Sequence, residues 1–171
     1  EQNFSKIETV IIEPLDIHNK KLLKLNYENV LAIKNVCISM KEEEVTLNVS
    51  KNDVCSSILE LDKNAISEIP SAIYTKEIKV KTSKLDNIIS DYMPEKKRLF
   101  IKIDVQGAED EVLDTLENKI DEVALIHIET SFITVYKSQK LWKDIINHKC
   151  LKDFEIIDIN IIGASPNYGI A

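Results

Sequence analysis

Glycine is scarce in this sequence of 171 residues: there are 3 glycines, and the first of them is Gly107. A loop that cradles phosphate with backbone N–H groups needs clustered glycines, because a larger residue would block the close approach of backbone and ligand. The sequence therefore contains no GxGxxG dinucleotide loop and no P-loop. A nucleotide-like cofactor would need its glycine loop supplied from outside these residues.

Disulfide patterns, long apolar runs and excess positive charge are also lacking. The 3 cysteines (Cys37, Cys55 and Cys150) are scattered without a CxxC pair, which favours reduced thiols in a cytoplasmic protein over disulfides or a zinc site. No apolar run approaches the roughly 18 residues that indicate a membrane span. The net charge is -7, from 22 basic and 29 acidic residues, and disfavours nucleic acid as a partner.

What is present indicates one soluble α/β domain over residues 1–171, with 44% hydrophobic and 30% charged residues. Apolar strand patterns alternate with amphipathic helix patterns, which predicts a mostly parallel sheet with helices on both faces and one antiparallel excursion. The predicted strands are 9–13, 31–36, 44–49, 78–82, 98–104, 123–129 and 154–161. The predicted helices are 17–27, 85–92, 110–120 and 139–150.

Acidic residues end three of the predicted strands, at the edge of a parallel sheet where ligands bind. Glu13 ends the first strand, where a carboxylate can accept hydrogen bonds from both hydroxyls of a ribose. Asp104 and Glu129 end two strands that should be neighbours, so they are expected to converge on one cleft. His127 alternates with Glu129 and faces the same side. For each of these residues a structural role is the simpler alternative: an acid exposed to solvent, or a histidine whose hydrogen bonds are satisfied within the fold.

The segment after Asp104 turns sharply into a helix. Gly107 permits that turn, and Glu109 lies in the first helical turn, where its charge interacts favourably with the helix dipole. The histidines have no HxxxH spacing, so no metal site is predicted. Ser56 and Ser57 lie in a loop without the GxSxG turn of a serine nucleophile.

Five segments resemble, in order and spacing, the FkbM family of methyltransferases: VIIEP (10–14), NDVCSSIL (52–59), VKTSKLD (80–86), IKIDVQGAE (101–109) and LIHIETS (125–131). The segment KIDVQGAE is the most specific of them. The resemblance covers nearly the whole chain. It implies a class I, Rossmann-like fold that uses S-adenosyl-L-methionine to methylate a hydroxyl oxygen of a sugar, a glycan or a natural product. The high lysine, isoleucine and asparagine content is typical of an AT-rich bacterial genome.

The resemblance also implies a cofactor site. By this likeness Glu13 binds the ribose, Asn35 and Val36 lie near the adenine, and Asp104 lies beside the transferred methyl group. The family's first strand, its glycine loop and its last strand are not recognised here. We therefore expect a fragment trimmed at both ends, which alone binds S-adenosyl-L-methionine weakly or not at all.

Methylation of an alcohol needs a group that takes the hydroxyl proton. Asp104 is the leading candidate for this base, and Glu129 or His127 is the second. Glu109 is assigned to holding the turn or orienting the substrate, and its replacement by Gln should mainly reduce stability or substrate binding.

The resemblance places Ser56 and Ser57 in a loop that borders the substrate, within a long polar connection (residues 51–75). Long loops over a strand-end cleft often carry specificity, and a small-molecule or glycan hydroxyl is the expected acceptor. One alternative stays open. The chain could be a catalytically inactive remnant of the fold that acts as a binding or scaffolding module.

Overall fold

The computed structural model of the chain describes residues 7–25, 28–94, 98–162, 164–165 and 169–170. Strands and helices alternate along it. The strands are β1 (Thr9–Ile12), β2 (Val30–Lys34), β3 (Cys37–Ile38), β4 (Glu44–Ser50), β5 (Tyr74–Ser83), β6 (Leu99–Ile103), β7 (Val123–Ile128), β8 (Ala164–Ser165) and β9 (Gly169–Ile170). The α-helices are α1 (Asp16–Leu25), α2 (Ala65–Glu68), α3 (Leu85–Tyr92), α4 (Glu109–Asp114) and α5 (Trp142–Ile145).

Two pairs of parallel strands position the predicted site residues. Strand β1 pairs with β2, and β6 pairs with β7. Each pair is joined by a connection that contains a helix, α1 in the first and α4 in the second, as parallel strands require. In the second pair Ile103 lies opposite Ile128, and the Glu129 N–H donates to the Ile103 carbonyl at 2.9 Å. This register brings Asp104 and Glu129 to neighbouring strand ends, as predicted.

The middle of the chain supplies the predicted antiparallel excursion. Strands β4 and β5 are antiparallel, and the short β3 lies parallel to β5 on its other edge. The mixed α/β class is confirmed. The described residues nevertheless form separate hydrogen-bonded sheets, β1-β2, β3-β5-β4, β6-β7 and β8-β9, rather than the one mostly parallel sheet that was predicted.

One hydrophobic core joins the two parallel pairs. Ile103 of β6, Leu113 of α4 and Ile145 of α5 are almost completely buried. Val10 and Ile12 of β1 pack against the same cluster, and so do apolar side chains of β7. Burial of apolar surface, which contributes about 25 cal/mol per Å², therefore stabilises both strand pairs against a common core. Among the described residues, no ladder hydrogen bonds connect the two pairs.

Helix α3 forms where it was predicted, at residues 85–92. Its buried residues Leu85, Ile88 and Ile89 have the three- and four-residue spacing of one helical face. Helix α1 also matches its prediction up to Leu25, while residues 26–27 of the predicted helix lie outside the described residues. Within the described part of the chain, we find no helix with the length and apolar character of a bilayer span.

Two predicted helices are shorter than expected because side chains compete for their backbone carbonyls. The helix predicted at 110–120 ends at Asp114, where the Thr115 hydroxyl donates to the Val112 carbonyl at 2.7 Å. The helix predicted at 139–150 is reduced to α5 and a 3-10 turn, and the Asn147 amide donates to the Lys143 carbonyl at 2.6 Å. Such side-chain bonds favour turns over continued helix.

The strand predicted at 154–161 is absent. Its pattern of isoleucine alternating with polar residues is typical of a strand, but a strand needs a partner for its backbone hydrogen bonds. Residues 154–162 have no ladder partner among the described residues. Several large apolar side chains of this segment are exposed: Ile156, Ile157, Ile159, Ile161 and Ile162.

Candidate active site

The three residues predicted to hold the cofactor's nucleoside lie together after β1 and β2. Glu13 accepts a hydrogen bond at Oε1 from the Leu15 N–H at 2.7 Å. The Asn35 amide donates to the Pro14 carbonyl at 2.8 Å and to the Glu13 carbonyl at 3.3 Å. Val36 is half-buried against the core. Among the described residues, the second Glu13 oxygen has no hydrogen-bond partner, so it can accept one from a ligand.

Asp104 and Glu129 lie side by side directly after β6 and β7, the second pair of parallel strands. Their carboxyl groups lie within hydrogen-bonding reach of each other. The Lys102 ammonium is 2.7 Å from Asp104 Oδ2, and the Gln106 amide donates to Asp104 Oδ1 at 2.9 Å. Both oxygens of Asp104 therefore have a donor.

The surroundings of this pair separate its two pKa values. Burial opposes ionisation of Asp104, but the hydrogen bonds from Lys102 and Gln106 outweigh it, so the pKa of Asp104 lies below its ordinary value. Burial and, next, the negative charge of Asp104 raise the pKa of Glu129. A pair of carboxyl groups with separated pKa values can combine one fixed negative charge with one group that exchanges a proton.

The turn between β6 and α4 (residues 104–109) is shaped by its own side chains. Gln106 has φ 58° and Gly107 has φ 104°, both in the left-handed region. Glu109 is 3% exposed, and its Oε1 accepts a hydrogen bond from the Gly107 N–H at 3.0 Å. Its Oε2 is buried without a partner among the described residues. The contact to Gly107 favours the first of the two predicted roles of Glu109, which is to hold the turn.

Replacing Glu109 by Gln is expected to reduce the pH dependence of stability. Burial raises the pKa of Glu109 above its ordinary value, despite backbone N–H groups such as that of Gly107. A raised folded-state pKa adds stability below the unfolded pKa, about 4.3 for Glu, and that stability is lost as pH rises through the folded pKa. As pH rises above about 4.3, the free energy of unfolding measured with urea should decrease more steeply for the wild type than for Glu109→Gln. Glu111→Gln, on the same helix, is the control, and equal slopes for Glu109→Gln and the wild type would contradict the assignment.

Ser56 and Ser57 use their hydroxyls within the protein. Ser57 is 1% exposed, and its hydroxyl donates to the Gln106 carbonyl at 2.6 Å. The Ser56 hydroxyl donates to the Asp53 carbonyl at 2.6 Å and accepts from the Ser50 N–H at 3.2 Å. Ser57 therefore ties the loop after β4 to turn 104–109. In this position it can shape a substrate site only through its neighbours.

His127 is exposed on β7, opposite Lys102, and makes no hydrogen bond to Asp104 or Glu129 in the described part of the chain. The described residues also contain no group of three or more His, Cys, Asp or Glu side chains that could hold a metal ion.

Tyr136 is a site residue that sequence reasoning missed. It is buried, and its hydroxyl lies 3.0 Å from both Gln106 Oε1 and the Cys55 carbonyl. Its ring packs over Gly107, where a Cβ atom would be 2.8 Å from Tyr136 Cδ2. Tyr136 lies in a connecting segment without helix or strand periodicity. The sequence feature that could have indicated it is that an aromatic residue follows shortly after Glu129.

Parallel strand pairs with acidic residues at their carboxyl ends are compatible with a methyltransferase. The family model described as the methyltransferase FkbM domain matches residues 2–156, which is most of the chain. The protein therefore belongs to the FkbM methyltransferase family, as the resemblance of its motifs predicted. Searches among curated proteins and among solved structures gave no match.

Proposed function

We propose that this protein transfers a methyl group from S-adenosyl-L-methionine to a hydroxyl oxygen of a sugar, a glycan or a related natural product. The observation that carries the proposal is the Asp104–Glu129 pair at two adjoining parallel strand ends, in which the pKa of one carboxyl is lowered and that of the other raised. Proton removal from an alcohol needs a base within hydrogen-bond reach of the hydroxyl, and this pair can supply one.

The residues present fit the proposed methyl donor. The free oxygen of Glu13 suits a ribose hydroxyl, and Asn35 and Val36 adjoin it on the neighbouring strand end. The carboxylates of Asp104 and Glu129 suit the positive charge of a sulfonium group. When bound, S-adenosyl-L-methionine supplies an activated methyl group. Alignment of reactants held in this way contributes up to about 7–11 kcal/mol to lowering the barrier.

We assign the proton transfer to Glu129 rather than to Asp104, the first candidate from the sequence. Asp104 has a donor on each oxygen and a lowered pKa, so it is a weak base held in one orientation. Glu129 has a raised pKa and therefore binds a proton more tightly. In this mechanism Asp104 stays ionised, and its charge helps Glu129 to accept the hydroxyl proton of the acceptor.

The same proposal places the protein in the bacterial cytoplasm with a small-molecule or glycan acceptor rather than nucleic acid. The three cysteines are free thiols, which suits a reducing compartment. Burial and, next, the charge of Glu13 raise the pKa of Cys37 to about 11, so this thiol is neutral and unreactive. The net charge of -7 repels a phosphate backbone.

A transfer assay with methyl-labelled S-adenosyl-L-methionine tests this function. The full natural chain is incubated with a panel of oligosaccharides and glycosides, and the products are treated with alkali. A methyl ether survives alkali and a methyl ester does not. We expect label in alkali-stable ether products. Label that alkali removes, or label on nitrogen, would contradict O-methylation of a hydroxyl, and donor binding without transfer to any acceptor would favour an inactive binding module.

A further inference from the structure

We infer that Gln106 is a positioning residue: its side chain, fixed by Tyr136, holds the Asp104 carboxylate in place beside Glu129. The part that this arrangement plays in catalysis rests on the proposed function. The arrangement itself involves only residues of this chain and can be tested without a methyl donor.

The orientation of the Gln106 amide follows from hydrogen-bond chemistry. An ionised carboxylate only accepts hydrogen bonds, so the NH₂ group of Gln106 must face Asp104 Oδ1, 2.9 Å away. The Gln106 oxygen then faces the Tyr136 hydroxyl at 3.0 Å, and that hydroxyl donates to it or to the Cys55 carbonyl. In the chain of contacts Tyr136–Gln106–Asp104, each hydrogen bond therefore pairs one donor with one acceptor.

The backbone of Gln106 is held as firmly as its side chain. Its φ of 58° lies in a region that non-glycine residues rarely adopt, so its surroundings must stabilise it. Its carbonyl accepts a hydrogen bond from the buried Ser57 hydroxyl at 2.6 Å. The Tyr136 ring packs directly over the adjacent Gly107. Two distant parts of the chain, at Ser57 and at Tyr136, thus fix one glutamine.

Gln106 is a firmer partner for Asp104 than Lys102 is. The Lys102 side chain is 56% exposed, and an exposed ion pair is screened by solvent and costs side-chain entropy to hold. Gln106 is half-buried and bonded at both ends of its amide. The direction of the Asp104 carboxylate, and with it the distance of its charge from Glu129, is therefore set by Gln106 together with Lys102.

An NMR titration of the side-chain carboxyl carbons tests this inference, with Asp104→Asn used to assign the Asp104 signal. Gln106→Met keeps a similar unbranched side chain but removes the donor to Asp104. Tyr136→Phe keeps the ring on Gly107 but removes the hydroxyl that anchors Gln106. We expect the pKa of Asp104 to rise by about one pH unit in Gln106→Met and by less in Tyr136→Phe, because hydrogen bonds favour the ionised form.

Tyr92→Phe is the matched control. The Tyr92 hydroxyl accepts a hydrogen bond from the Lys34 ammonium at 3.3 Å, so its loss also removes a partly buried tyrosine hydrogen bond without touching Gln106. This variant should lower Tm while leaving the titration of Asp104 unchanged. If Gln106→Met and Tyr136→Phe behave in the same way, Gln106 has only a packing role and the inference is overturned. A raised pKa of Asp104 in a protein that does not bind S-adenosylhomocysteine would support the positioning role and contradict the methyltransferase function.

Discussion

Turnover is expected to fall by about 10²–10⁴-fold when Glu129 is replaced by Gln, with little change in affinity for S-adenosylhomocysteine, which lacks the positive sulfur of the methyl donor. Gln keeps the shape of the side chain but cannot take the hydroxyl proton. Asp104 cannot substitute, because Lys102 and Gln106 engage both of its oxygens and its pKa is lowered. Methyl-transfer rates and calorimetric titration with S-adenosylhomocysteine, measured on the same preparation, separate the two effects.

Two further variants make this experiment specific. Glu117→Gln changes an exposed glutamate whose partner is Lys149, away from the site, and should retain wild-type turnover. Asp104→Asn should also lower turnover far more than donor affinity, because it removes the fixed charge beside Glu129. Wild-type turnover in Glu129→Gln, together with loss of turnover in Asp104→Asn, would return the role of base to Asp104.

Replacing Gly107 by Ala is expected to lower the free energy of unfolding by about 2–5 kcal/mol. The φ of 104° disfavours any side chain, and a left-handed conformation costs roughly 1–2 kcal/mol. The added Cβ would lie 2.8 Å from Tyr136 Cδ2 and 3.1 Å from Leu59 Cδ1, and overpacking of this kind costs about 1–3 kcal/mol. The Tyr136 ring cannot easily move away, because its hydroxyl is hydrogen-bonded. Urea unfolding at fixed pH measures the effect.

Ser138→Gly provides the opposite change in a similar backbone conformation. Ser138 has φ 64° and is exposed, so removing its Cβ relieves the disfavoured conformation without leaving a cavity. Its unfolding free energy should equal or exceed that of the wild type. A Gly107→Ala protein as stable as the wild type would show that Tyr136 is not fixed over turn 104–109.

The sequence predicts the framework of the site because strand ends are local features. Short apolar runs mark β1, β6 and β7, and the residue directly after each strand is an acid: Glu13, Asp104 and Glu129. Parallel pairing follows from the helix between two strands. The neighbouring positions of Asp104 and Glu129 therefore need no information beyond the order of elements along the chain.

The remainder of the site depends on contacts between distant residues, which local patterns do not encode. Tyr136 reaches Cys55 and Gln106 from a connection with no periodicity, and Ser57 reaches Gln106 across 49 positions of sequence. Through Gln106 these contacts supply one of the two donors to Asp104, which helps to lower the pKa of Asp104 while that of Glu129 is raised. The prediction of a strand at 154–161 is wrong for a related reason. An alternating pattern specifies which face of a strand is apolar but not which strand it pairs with.

The proposed function requires this protein to bind an S-adenosyl methyl donor at its strand ends. Calorimetric titration of the full natural chain with S-adenosylhomocysteine tests it most directly. ATP, which shares the adenine and ribose but adds negative charge, is the control ligand. We expect micromolar binding of S-adenosylhomocysteine and none of ATP, because the carboxylates of the site disfavour phosphate. No binding of S-adenosylhomocysteine, or equally tight binding of ATP, would contradict the claim.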